Sequence, residues 1–155
     1  MIPSLPTVDL SDPRGFELTE GRLEDLPRLL VSGEHGAEVA FWGRVRNHNE
    51  GRAVVRLEYT SYPELAIKEG RRILEEARTR FGVAAWAAHR VGTLEVGDAA
   101  VVVEVASGHR GEGFEACRWI IDQIKSRVPI WKREHYREGD SEWVMCHHGT
   151  TTTGS

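Results

Sequence analysis

The stretch IKSRVPIWKREHY (124–136) changes its period halfway, and that change decides the class of fold. Before Pro129 the positions Phe114, Cys117, Ile121 and Ile124 recur at helical spacing, which predicts a helix over about 112–127. Pro129 restrains Val128 to extended geometry, so the helix stops there. IWKREHY then reads as a short strand, with Ile130, Lys132 and Glu134 on one face. Lys125 follows Ile121 by one helical turn and so borders the buried stripe. The returning strand brings Lys132 back towards it.

Working outward, PELAIKEGRRILEEARTRFG (63–82) is the strongest helix signal in the chain. Pro63 suits its first turn, Ala66, Ile73, Ala77 and Phe81 keep one stripe, and Gly82 can supply a left-handed cap. LEDLPRLLVSG (23–33) reads as a short helix or turn, with Pro27 near its start and Gly33 at its end. EVAFWGRVR (38–46) and AVVRLEY (53–59) alternate about the polar loop NHNEGR (47–52), which predicts a hairpin or an extended strand pair. VAAWAAHRVG (83–92) and AAVVVEVA (99–106) read as two more strands, joined by the turn LEVGD (94–98). Strands and two main helices mix without strict β-α-β alternation. The expectation is an α+β fold with a mixed or antiparallel sheet packed by the helices. One domain should span 19–145, between a loosely packed N-terminal segment (1–18, at most an edge strand) and a flexible tail (146–155).

The bulk numbers set limits on function. At 155 residues, 40% hydrophobic and 28% charged, the chain has the size and composition of one globular domain. The longest apolar runs are strand-length and interrupted by charge, so no membrane span is expected. The N-terminus lacks the pattern of a signal peptide, and two cysteines are too few for a disulfide framework. The expected location is the cytoplasm. A formal net charge of −4 argues against a nucleic-acid binder. Acidic residues nevertheless concentrate in the first third, while 109–137 is rich in arginine and lysine. A local basic site on an acidic protein fits one small anionic ligand.

Three stretches could carry chemistry. SGHRGEG (107–113) runs from a strand into a glycine-rich turn and a helix, so backbone N–H groups and the positive helix end converge beside His109 and Arg110. A capped turn without a ligand is the bland alternative. Lys125 and Lys132 form a pair of ammonium groups beside apolar surface, candidates for a nucleophile or a proton carrier. Their alternative is two solvated lysines at a helix end. GRVRNHN (43–49) offers Arg46 and His48 on a loop held by a strand, or else a solvated hairpin tip. Cys146, His147, His148 and Cys117 match no zinc spacing, and no metal is expected. On pattern alone the site is an anion pocket with two lysines, compatible with a non-catalytic binder of a phosphorylated small molecule or a Schiff-base lysine enzyme.

Five motifs occur in order: GRVRNHNEGR, LEYTSYPELA, HRVGTLEVGD, SGHRGEGFEAC, and IKSRVPIWKREHY followed by EW. Together, from about Gly36 to Trp143, they resemble the large, catalytic subunit family of molybdopterin synthase. The resemblance implies an α/β-hammerhead-type fold and a homodimer. Each protomer of the family binds a small ubiquitin-like β-grasp subunit ending in a Gly-Gly thiocarboxylate, which completes a heterotetramer. It further implies a sulfurtransferase that builds the molybdopterin dithiolene on cyclic pyranopterin monophosphate, a step of molybdenum cofactor biosynthesis, with no cofactor of its own. By position, Lys125 is the lysine beside the thiocarboxylate carbonyl, polarising it or accepting the acyl group. Lys132 orients substrate or moves a proton. Arg46, His48, His109, Arg110 and Arg127 are the substrate-binding candidates, and His147 stands where the family often carries a basic residue reaching across the dimer.

Overall fold

The computed structural model describes residues 15–139 and 141–146, together with the backbone of Thr7–Val8. His147 and the rest of the expected tail lie outside the described residues. In chain order the elements are β1 (Thr7–Val8), β2 (Phe16–Thr19), a 3₁₀ turn (Leu23–Asp25), β3 (Arg28–Leu29), β4 (Ala37–Arg44), β5 (His48–Asn49) and β6 (Arg52–Ser61). There follow α1 (Pro63–Phe81), β7 (Ala84–Arg90), β8 (Gly92–Glu95), β9 (Ala99–Ser107), α2 (Arg110–Arg127), β10 (Ile130–Tyr136) and β11 (Trp143–Met145). The α+β expectation holds, with two main helices and both mixed and antiparallel sheets.

A four-stranded sheet runs in the order β2-β7-β9-β4. Only its edge pair β2–β7 is parallel, which makes it mixed. Both helices cover one face, where Ile73, Leu74, Ala77, Ile120 and Ile124 meet Ala85, Ala87, Val103 and Val105. The other face is closed by Leu23 and Leu29 against Trp86, Ala88 and Val102. A five-stranded antiparallel sheet, β11-β10-β6-β5 with β8 also on β6, lies beside it. Val45, Leu57, Leu94 and Ala100 join the two.

The helices form where periodicity predicts them. Gly82, in the left-handed conformation (φ 65°), closes α1. Val128 is extended and ends α2 one residue before the proline. Phe114 is the exception on α2: it is 61% exposed, because Gly113, Ala116, Cys117 and Ile120 take the buried face.

Three other expectations need correction. The predicted pairing within 38–59 does not form, since β4 pairs with β9 and β6 with β10. Only the short β5–β6 hairpin closes locally, through Glu50 and Gly51 at positive φ (50° and 78°), as a tight two-residue turn demands. Within 94–98, Leu94 and Glu95 belong to β8 rather than to a turn, because residues 92–95 find a partner in β6. The segment 1–18 is not uniformly loose. Phe16 is 1% exposed and opens the edge strand β2, and its ring lies against α1 at Gly70, where any side chain would overlap it.

Candidate functional site

A cavity of about 400 Å³ opens where the end of α2, β10 and the β5–β6 hairpin converge, in the size range of small-molecule sites. Its apolar wall includes Val101 of β9, Ile121 and Ile124 of α2, Val128 that caps α2, and Ile130 that starts β10. The fold therefore delivers Lys125 and Lys132 to one space: the first from the last turn of α2, the second two residues into the strand. Lys125 has no carboxylate within ion-pair distance among the described residues. Among the described carboxylates Lys132 meets only Glu134, with Nζ 3.9 Å from Oε1. Arg44, Arg46, Lys125 and Lys132 face two carboxylates, Glu50 and Glu134, so the lining is net positive on a chain of net charge −4.

Glu134 is itself held. Asn49 Nδ2 donates to its Oε1 at 3.0 Å and the Tyr136 hydroxyl donates to the same oxygen at 3.3 Å. Register places Tyr59 of β6 opposite Lys132, and Val144 of β11 on its other side. The backbone N–H of Cys146 donates to the Ile130 carbonyl at 2.8 Å, which seats its thiol among the lining residues.

Electrostatics separate the neutral members from the charged ones. Burial pushes the Cys146 thiol up to about 11, although Lys132 and Lys125 pull it the other way. Burial likewise lifts the Tyr59 phenol above its ordinary range. His89, 7% exposed, is pushed down to about 4 by burial, with the Lys125 charge acting in the same direction. All three are uncharged at neutral pH.

The sequence candidates divide. Arg46, Lys125 and Lys132 line the cavity. His48 sits on the hairpin whose Asn49 and Glu50 do so, and its Nδ1 lies 2.8 Å from the Asn47 side-chain oxygen. His109 and Arg110 begin α2, while Lys125 is in its last turn. Along the axis of this 18-residue helix the two groups stand roughly 22 Å apart. Arg127, expected to bind substrate, is instead committed to α1: its guanidinium donates to Glu69 at 2.9 Å and to Glu76 at 2.7 Å. It is adjacent in sequence to Val128, which lines the cavity, yet the helical turn aims it at the neighbouring helix.

Tyr59, His89, Glu134 and Cys146 also line the cavity and had no role from sequence. His89 follows five apolar residues on the strand AAWAAHR, before Arg90, and reads there as core. Its one signal was its place in the motif HRVG.

The fold and this cavity define an α+β protein with a net-positive pocket where its second helix meets β10. The family model described as MoaE protein matches residues 18–127. The chain is 48% identical over 123 residues to the molybdopterin synthase catalytic subunit of Pyrococcus abyssi, covering 79% of this chain and 82% of that one. The crystal structure of molybdopterin synthase from Staphylococcus aureus superposes with a TM-score of 0.73 at 30% identity, over 86% of this chain and 97% of the other. A complex of subunits 1 and 2 of molybdopterin-converting factor from Helicobacter pylori shares the fold, with a TM-score of 0.59 at 23% identity over 68% and 70%. This chain belongs to the MoaE family of molybdopterin synthase catalytic subunits.

Proposed function

We propose that the chain is the catalytic, sulfur-transferring subunit of a molybdopterin synthase. A small β-grasp carrier presents its Gly-Gly thiocarboxylate in the cavity, and cyclic pyranopterin monophosphate accepts the sulfur. Two such transfers make the dithiolene, and each carrier leaves as the carboxylate.

The observation that carries this reading is the lysine pair beside a cavity of substrate size, on a chain of this family. Donor and acceptor are both anions and repel one another. Lys125, unpaired among the described residues, and the loosely paired Lys132 offset that repulsion where the two must meet. Lys125 at the thiocarboxylate carbonyl either polarises it or accepts the acyl group. Lys132, two residues from Glu134 on the same face, orients the substrate or moves a proton. Arg46 and the neighbouring His48 bind the phosphate.

A partner subunit is supported by the Helicobacter pylori complex, whose two subunits are held together. His109 and Arg110 lie too far along α2 to serve the cavity of their own chain. In a homodimer the second copy supplies them, so that each substrate is gripped by two protomers. No helix among the described residues is long and apolar enough to cross a membrane.

The test mixes the chain with a thiocarboxylated Gly-Gly β-grasp carrier and cyclic pyranopterin monophosphate, and quantifies the dithiolene pterin. Product from the wild type, lost in Lys125→Ala and reduced in Lys132→Ala, supports the proposal. An absence of product while carrier binding is intact would reject it.

A further inference from the structure

We propose that His89 is a substrate-binding residue of this cavity, the neutral acceptor that receives a ring N–H of the reduced pterin; the inference rests on the phosphopterin reading above.

On β7 the side facing the helices carries Ala85 and Ala87, both buried, and then His89. Small apolar side chains suffice to close that row, yet its last member is an imidazole that lines the cavity. Its Nδ1 lies 2.7 Å from the Arg90 carbonyl. A carbonyl can only accept, so Nδ1 carries the proton and Nε2 is left with a lone pair. Among the described residues Nε2 has no hydrogen-bond partner, and on a side chain that is otherwise 7% exposed it opens onto the cavity, where a ligand can complete it.

The surroundings keep the ring neutral and fixed. Tyr59 of β6 packs against it edge-on, with centroids 4.9 Å apart, and Lys125 of α2 sets a positive charge near it. Lys132 and Glu134 of β10, Arg44, Arg46, Glu50 and Cys146 complete the titratable lining. A second proton is therefore opposed by both burial and charge, and the ring accepts rather than donates.

Complementarity then selects the ligand group. Arg46, Lys125 and Lys132 can only donate, which suits a phosphate and a thiocarboxylate. Glu134 is engaged by Asn49, Tyr136 and Lys132 through its Oε1, and Glu50 stands exposed at the hairpin tip. A reduced pterin also presents N–H donors that need an acceptor inside the cavity. His89 Nε2 supplies it.

Titration of the full-length chain with cyclic pyranopterin monophosphate, followed by isothermal titration calorimetry, tests this alongside ¹⁵N-histidine NMR. The expected result is an unprotonated Nε2 resonance that moves upfield when the pterin binds. His89→Phe should weaken pterin binding by about tenfold, as loss of one buried hydrogen bond does. His89→Gln, which keeps an acceptor near the Nε2 position, should recover most of that loss. In turnover the defect should appear in KM more than in kcat, with carrier binding unchanged. A wild type that binds pterin while its Nε2 resonance stays still, or a His89→Phe variant that binds as well as wild type, would overturn the role of His89 and leave the phosphopterin reading standing. A wild type that binds no pterin would overturn both.

Discussion

The two large sheets solve opposite problems. The four-stranded sheet is dry: its helix-facing side is mainly alanine and valine, with Phe16 at the edge, and His89 and Ser107 are the buried polar residues among those described. The five-stranded sheet is charged on both faces of one strand. On β10, Lys132 and Glu134 turn to the cavity, while Arg133 and His135 turn away to share the Glu58 carboxylate. Arg133 reaches that carboxylate at 3.0 Å, and the hydrogen bonds from Arg133 and His135 hold it below the usual range. One sheet supplies rigidity and the other supplies charge. The cavity lies at their junction, and His89 is where the dry sheet contributes a polar atom.

Substitutions can sharpen this division or break it. The largest effect should come from Lys125→Ala, which lowers sulfur transfer by about a thousandfold, in line with the loss of a group stabilising transition-state charge. Its thermal unfolding should stay close to wild type, because Lys125 is exposed and packs nothing. A parallel loss of stability would show that the lysine belongs to the scaffold. Ile120→Ala attacks the dry side instead. Ile120 is fully buried, and its truncation should cost about 3 kcal/mol in urea unfolding while the folded fraction keeps its turnover.

The junction itself responds to acid. His89 falls from an ordinary 6.5 to about 4 in the folded chain, so below 6.5 the unfolded chain takes up a proton that the folded chain refuses. Its stabilising contribution is complete above 6.5 and is lost as pH falls towards 4. Between pH 7 and pH 5 the wild type should lose about 2 kcal/mol from this group alone. Denaturant midpoints of wild type and His89→Gln should therefore converge as pH drops. Equal slopes in the two would mean that the ring is not buried as described. The smallest effect is expected from Arg127→Ala. Its ion pairs with Glu69 and Glu76 are partly exposed, so stability should fall by about 1 kcal/mol or less, with sulfur transfer unchanged.

The same division explains what could be read in advance. α1, α2 and β10 follow from local period, since their apolar residues must face one core. The partners of β4 and β6 do not, because pairing over long sequence distances is chosen by packing that no local pattern encodes. β8 was lost inside an apparent turn for the same reason: four residues carry too little alternation to announce a strand. In the site, Lys125 and Lys132 were legible because a proline break between helix and strand forces them together. Arg127 reads in the sequence as a free cation, because its charge is visible there and its two glutamates on α1 are not. His89 was hidden by five apolar neighbours.

The length of α2 carries a final consequence. Its first turn holds His109 and Arg110, its last turn Lys125, and the buried face between them runs unbroken from Gly113 to Ile124. One residue inserted midway would rotate one end against the other by about 100° and advance it by about 1.5 Å. Either Lys125 would leave the cavity or Gly113 and Ala116 would leave the core. This helix can therefore change its letters over evolutionary time far more freely than its length, and insertions and deletions should be found in the loops around it.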